Sequence, residues 1–276
     1  MMEIQQSKPY AAFIASLGWK VVAHNRQYYY IRRFPFMGAL IKVQRVTRLP
    51  DLKTFLPLLS HEKATRLAIE PDSRVSSGDL KRWVRRLPRA IHVNHDPFLP
   101  TKTIRVDVTR PEDAIFRGLS EAKRRAVRRA QKNGVRIDVS DDIRTFIRLK
   151  NTSAGFLGSI TTYGLDKLWP KFRPDHADIL TARTSKDTPV AGILLIYWQK
   201  IAYYWVAGAT KEGKHLFAPT YLVWEALKLA KKRGTTALDF VGVWDERMPN
   251  QNHEWKGFTK FKEGFGGSEL YYPLSS

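Results

Sequence analysis

Apolar residues recur at helical spacing over Pro9–Leu17 (Tyr10, Phe13, Ile14, Leu17) and stop at Gly18, which predicts a short first helix. Strands are predicted at Lys20–His24 and Gln27–Arg32, joined by a polar turn at Asn25-Arg26, and again at Leu40–Thr47. Asp51 suits the N-cap of a helix from Leu52 to about Ser60. Thr65–Ile69 reads as a short strand ending at Glu70-Pro71, and Ser77 or Asp79 opens a basic helix through Trp83 to Leu87. Residues 92–102, with two prolines, have no periodicity and mark a boundary between domains 1–99 and 100–276.

Beyond the boundary, Thr103–Val108 alternates cleanly as a strand. A helix begins near Pro111, breaks around Gly118-Leu119-Ser120 and resumes as EAKRRAVRRAQK, with Ser120 as N-cap and Gly134 as C′ residue. Val135–Val139 is a further strand, and Asp141 or Asp142 caps a helix to about Asn151. Pro189–Gln199 and Ile201–Ala209 are almost continuously hydrophobic, which predicts two adjacent strands buried on both faces. Pro219 opens a helix that Gly234 closes, and Thr236–Val241 is a last buried strand. Strand pairs with intervening helices make the fold class α/β, with mixed α+β sheets.

Charge then narrows the partners. The 276 residues carry 47 Lys and Arg against 26 Asp and Glu, a formal net charge of +21. Residues 1–100 hold 17 basic and 7 acidic side chains and the rest 30 and 19, so the excess is spread over the chain. A surface of that kind suits polyanions: nucleic acid, pyrophosphate groups or an anionic membrane face. The absence of cysteine excludes disulfides, thiolate metal sites and a cysteine nucleophile. No signal peptide or apolar run of spanning length is visible, so a cytoplasmic protein is expected, with peripheral membrane contact left open.

The common catalytic signatures are missing: no GxSxG elbow, no HExxH, no GxxxxGK[ST] loop. His92-x-x-His95-Asp96 is a spacing that scattered histidines produce by chance, and no metal site is expected. Acyl-CoA enzymes cradle pyrophosphate on free N–H groups where a glycine-rich turn enters a helix. The equivalent stretch here, KEGKHLFAPTYL, offers bulky Leu216 and Phe217 and the N–H-less Pro219, which suit that cradle badly.

Over 202–267 an ordered set of motifs stands out. It comprises a strand ending in Ala207-Gly208, Ala218-Pro219 leading into a helix with Trp224-Glu225-Ala226, Asp239-Phe240-x-Gly242, and Phe261-Lys262-x-Gly264-Phe265-Gly266. Pro100-x-x-Thr103, Asp107-Val108 and Asn133-Gly134-Val135 precede it, with weaker echoes at Gln6-Ser7, Gly18-Trp19 and Ile69-Glu70-Pro71. In this order the motifs resemble the FemABX family of peptidoglycan aminoacyltransferases. The resemblance implies two tandem GNAT-like domains, and an activity that moves an amino acid from aminoacyl-tRNA to an amine of a peptidoglycan precursor. The acceptor is a nucleotide- or lipid-linked muropeptide; no cofactor is implied beyond the tRNA co-substrate, and a monomer is expected.

The same resemblance implies a catalytic role for Lys262, as the ammonium that meets the tetrahedral oxyanion, with Phe261 shaping its surroundings. The plainer reading of Lys262 is a lysine on an exposed strand. Glu70 falls where relatives place an acid facing the acceptor amine; the alternative is a strand-end carboxylate. Asp239 and Tyr204 are candidate substrate contacts, against structural roles in the core. Arg124, Arg125 and Arg128 are candidate phosphate contacts on a helix whose cations wrap more than one face, with Lys81, Arg82, Arg85, Arg86 and Arg89 as a second basic helix. The family pattern is broken at Ile14-Ala15, Thr162-Tyr163 and Val206, which bears on recognition of the nucleotide-linked precursor. Two other functions keep part of this picture: an acyl-CoA-dependent N-acyltransferase, and a non-catalytic RNA-binding protein of the same fold.

Overall fold

The computed structural model describes residues 2–154 and 162–275. The chain divides into two compact units, residues 1–102 with 270–276, and residues 103–269. The last seven residues, placed in the second domain on sequence, therefore group with the first unit.

The first unit is built on one mixed five-stranded sheet in the order β1-β2-β3-β4-β5 (Lys20–His24, Gln27–Phe34, Gly38–Gln44, Ala64–Glu70, His92–Val93). Its first three strands are antiparallel and the last two run parallel to β3. The predicted turn at Asn25-Arg26 has both residues at positive φ, as a two-residue hairpin turn requires. The predicted cap at Asp51 forms, accepting from Lys53 N at 3.1 Å, and Ser7 caps the first helix by accepting from Tyr10 N at 3.1 Å. The basic helix is shorter than predicted, Ser77–Val84, and is capped by Ser76 rather than Ser77 or Asp79. Tyr29, Ile41, Phe55, Leu67 and Leu80 fill its core.

The second unit holds a mixed seven-stranded sheet in the order β12-β6-β11-β10-β9-β8-β7. These strands are β6 (Lys102–Asp107), β7 (Arg136–Ser140), β8 (Ala177–Arg183), β9 (Pro189–Trp198), β10 (Ile201–Ala209), β11 (Ala237–Asp239) and β12 (Ser268–Tyr271). Strand β9 is an interior strand, buried along nearly its whole length, as its hydrophobic run predicts. The expected break at Gly118-Leu119-Ser120 separates the helices Glu112–Gly118 and Glu121–Lys132. The long helix Ala218–Lys232 packs on the sheet, and Arg233 at its end forms a bidentate pair with Asp178 of β8, at 2.9 and 2.5 Å. Helix Leu165–Phe172 and strand β8 have no counterpart in the sequence reading.

Two glycines bring helix Ile143–Ala154 down onto β9 and β10. A Cβ at Gly192 would lie 2.9 Å from Phe146, and one at Gly208 would lie 2.9 Å from both Lys150 Cα and Ser153 Oγ. Because Lys150 Cα is backbone, the helix itself would have to move. Gly208→Ala is therefore expected to lower stability by about 1–3 kcal/mol, read as a fall in the urea midpoint at unchanged slope; an unchanged midpoint would show that the helix yields freely.

Candidate active site

Strands β10 and β11 run parallel for only three residues, Ile201–Tyr203 against Ala237–Asp239. Strand β10 then continues to Ala209 along β9, with a bulge between Tyr204 and Val206, while the chain beyond Asp239 turns away. The turn passes through Val241 at φ +66°, a conformation that a β-branched residue rarely adopts. Asp239 holds it there. Its Oδ1 accepts from Val241 N (2.7 Å) and Thr103 Oγ1 (2.6 Å), and its Oδ2 from Arg105 Nε (2.7 Å). The carboxylate is buried with both oxygens hydrogen-bonded, and Asp239 is not among the residues that line the neighbouring cavity.

Where β10 has lost β11, a cavity of about 390 Å³ opens beside it. Gly192 of β9 and Tyr204, Ala207 and Gly208 of β10 form one side. Phe217, Pro219 and Thr220 at the start of the long helix form another, with Lys214 and Phe261 completing the wall. Pro219 has no N–H to offer, and Thr220 N and Tyr221 N both donate to Phe217 O. The first turn therefore presents few free donors to a pyrophosphate, in keeping with the sequence argument.

Lys262 lies on the helix Lys256–Glu263, buried, and not on an exposed strand. Its Nζ donates to Phe240 O at 2.9 Å and Gly242 O at 2.5 Å, which leaves one N–H of the ammonium. It sits 5.8 Å from the centre of the Tyr204 ring and 5.0 Å from that of Phe258. Burial pushes the amine down to about 8 from 10.5, against an opposing pull from Asp239. Lys262 is thus one aromatic ring away from the cavity, and burial likewise pushes the Tyr204 hydroxyl up. Three residues along the same helix, Thr259 Oγ1 accepts from Trp244 N at 2.8 Å, so two side chains fasten this helix to the segment after Asp239.

The glycines after Lys262 make room for the basic helix. A Cβ at Gly264 would meet Lys123 Cε at 2.6 Å, and Ser120 N donates to Gly264 O at 2.9 Å. Lys123 then lays its ammonium on Phe261 (3.6 Å to the ring centre) and Phe265 (4.9 Å), and burial lowers its pKa to about 8. Phe261 is thereby fixed between the cavity and a cation. The other predicted cations divide. Arg124 donates to the carbonyls of Arg117 (3.0 Å) and Leu119, closing the preceding helix, while exposed Arg125 pairs with Glu121 and exposed Arg128 lies 5.6 Å from the Phe116 ring.

Glu70 belongs to the first unit. Its carboxylate accepts from Gln44 Nε2 and Leu99 N, both at 2.7 Å, beside a cavity of about 20 Å³, room for about one water. Also in the first unit, Arg48, Arg74, Arg82 and Arg86 line a cleft of about 510 Å³ next to Trp83, on the second basic helix. The structure therefore lines one cavity with Phe261 and Tyr204 and sets Lys262 beside the Tyr204 ring. It adds Lys214, which lines the wall, and Lys150, whose stem lies along Gly208 and whose amine is lowered by burial and by Lys214. Lys214 was visible within KEGKHLFAPTYL, whereas Lys150 had no signal, since only the close helix–strand approach at Gly208 brings it in.

Residues 172–270 match the FemAB family. No curated protein sequence matches the chain. Among solved structures, the chain resembles FemX with a TM-score of 0.76 at 15% identity, covering 98% of this chain and 90% of that one. It also resembles the C-terminal domain of a putative lysylphosphatidylglycerol synthetase from Agrobacterium fabrum (TM-score 0.61, 13% identity, 96% and 87% covered). A third match is L-PGS from Bacillus licheniformis (TM-score 0.56, 14% identity, 94% and 83% covered). The family match spans most of the segment that carries the FemABX resemblance on sequence, and the α/β class with mixed sheets that the sequence predicts is the one observed, its fold shared over nearly the whole chain with FemX.

Lys262 gives this site a measurable titration. Its folded pKa lies below its unfolded one, so its charged form is penalised below about pH 8 and the penalty lifts as pH rises toward 10.5. Relative to Lys262→Met, the protein is expected to gain about 2 kcal/mol of stability between pH 7 and pH 9.5. Denaturation curves of both proteins at the two pH values measure this, and parallel pH dependence would mean that the amine is solvated.

Proposed function

We propose that the protein is an aminoacyltransferase of the FemAB type that moves an amino acid from aminoacyl-tRNA to an amine of a peptidoglycan precursor's stem peptide. One observation carries the reading: the FemAB-matching segment supplies both most of the cavity wall and the buried ammonium next to it. The net charge of +21 adds independent support, because the tRNA backbone and the precursor pyrophosphate are both polyanions.

The reaction is aminolysis of an ester. The neutral acceptor amine attacks the carbonyl carbon, a C–N bond forms, and the carbonyl oxygen takes up negative charge. Collapse breaks the C–O bond to the tRNA ribose, whose hydroxyl leaves with the proton that the amine gives up. In this scheme the cavity holds the aminoacyl group between Phe261 and the start of the long helix, and Lys262 supplies positive charge where the oxyanion develops. At roughly 6 Å and an effective dielectric near 20, a unit charge contributes about 3 kcal/mol, or two powers of ten in rate. Lys214, Lys123 and the exposed Arg125 and Arg128 provide the cationic approach for phosphates. Glu70, with both oxygens committed in the first unit, is assigned no step.

Charged tRNAs offered with nucleotide- and lipid-linked muropeptides, read by mass spectrometry, test the assignment. The expected product gains one amino-acid residue in mass, and RNase treatment abolishes it. Lys262→Met is expected to lower kcat on the order of 100-fold, with far-ultraviolet circular dichroism unchanged. Transfer that survives RNase and runs on acyl-CoA instead would keep the fold and overturn the donor; an unaltered kcat would remove Lys262 from the mechanism.

A further inference from the structure

The hairpin between β2 and β3 carries RRFPFMG at its tip. Phe36 there is fully exposed and Met37 is 56% exposed, the most exposed large apolar pair on adjacent positions among the described residues. An unfastened loop would fold such groups back onto the protein, but this one is held rigid. Met37 N donates to Phe34 O at 3.3 Å, Thr65 Oγ1 donates to Met37 O at 2.6 Å, and Ala39 N donates to Lys63 O at 3.0 Å. Gly38, at φ +74°, presses so close that a Cβ would meet Lys63 O at 2.9 Å and Thr65 Cγ2 at 2.6 Å. Phe36 itself takes φ +62° to reach outward. The backbone of the tip is therefore already fastened when it meets an apolar phase, which lowers the ordering cost of binding.

The surroundings of the tip are cationic. Exposed Arg32 and Arg33 precede it on β2 and exposed Lys63 flanks it from the neighbouring segment, while Arg66, with Nε and Nη2 buried, packs its guanidinium 4.9 Å from the centre of the Phe34 ring. Glu62, the carboxylate at this end of the sheet, is only 1% exposed and lies between Lys20 (2.5 Å) and Arg33 (3.0 Å), so it faces inward. A fastened aromatic–thioether point flanked by three exposed cations matches one phase boundary: an anionic lipid surface, which accepts apolar side chains below its headgroups and attracts Lys and Arg at them.

The geometry points to the 34–37 hairpin tip as a membrane-surface anchor, with Phe36 and Met37 entering the acyl region of an anionic bilayer and the exposed Arg32, Arg33 and Lys63 meeting the lipid phosphates. This inference goes beyond the transfer reaction and stands without it, since attachment and catalysis are measured separately.

Flotation with vesicles of phosphatidylglycerol and phosphatidylcholine, against phosphatidylcholine alone, is the test, run on the full chain. Binding is expected on the anionic vesicles, and the double variant Phe36→Ser, Met37→Ser is expected to weaken it about tenfold or more. Both positions are exposed, so circular dichroism should be unaltered. In a Phe36→Trp variant, indole emission is expected to shift to the blue on anionic vesicles and to be quenched by lipids brominated in their acyl chains. Wild-type binding by the double variant, or an indole that stays water-exposed on bound protein, would overturn the anchor and leave a surface charge effect. A vesicle-free dimer that the double variant dissolves would overturn it equally, making the tip a contact between two copies.

Discussion

Two buried charges of opposite sign hold the chain open after Asp239, and the candidate site depends on them. Asp239 gathers Thr103, Arg105 and the N–H of Val241, forcing a valine into a left-handed conformation. Lys262 then ties off the carbonyls of Phe240 and Gly242 on the other side of the bend. Without these bonds, β11 would be free to follow β10 as an ordinary parallel pair and would close the space beside Tyr204. The cost is a desolvated ammonium. Strain and desolvation of this kind persist where the surrounding structure over-determines them.

The glycine-rich run after Lys262 follows from the same geometry. Gly264 admits the Lys123 stem, and Gly267, at φ +96°, passes so near Arg105 O that a Cβ would lie 2.5 Å away. The motif is thus a packing requirement as much as a chemical one: it docks the Lys256–Glu263 helix on β6 and on the basic helix, and so aims Phe261 at the cavity.

Local signals in the sequence were legible, and signals that need a third partner were not. Asp51 and Ser120 announce helix starts because a cap acts within three residues, and the near-continuous apolar run of β9 announces its burial on both faces. The FKEGFGG segment identified Lys262 and Phe261, yet its helical form was hidden, since Lys256–Glu263 is short and fastened mainly by Lys262 and Thr259. Arg124 looked like one more surface cation; only the broken helix before it shows that its Nη1 donates to two carbonyls. Glu70 sat in the expected motif, but the strand pairing Gln44↔Glu70 and the return of Leu99 occupy both its oxygens.

The bonds from Thr103 and Arg105 to Asp239 bridge 136 and 134 positions of sequence. A ribosome builds β6 long before β11 exists, so this strand waits unpaired on that side while more than a hundred further residues emerge. The β9–β10 hairpin, by contrast, closes across neighbouring residues as soon as it is made. Assembly of the cavity beside Tyr204 consequently waits for Phe261, long after the β9–β10 hairpin is complete.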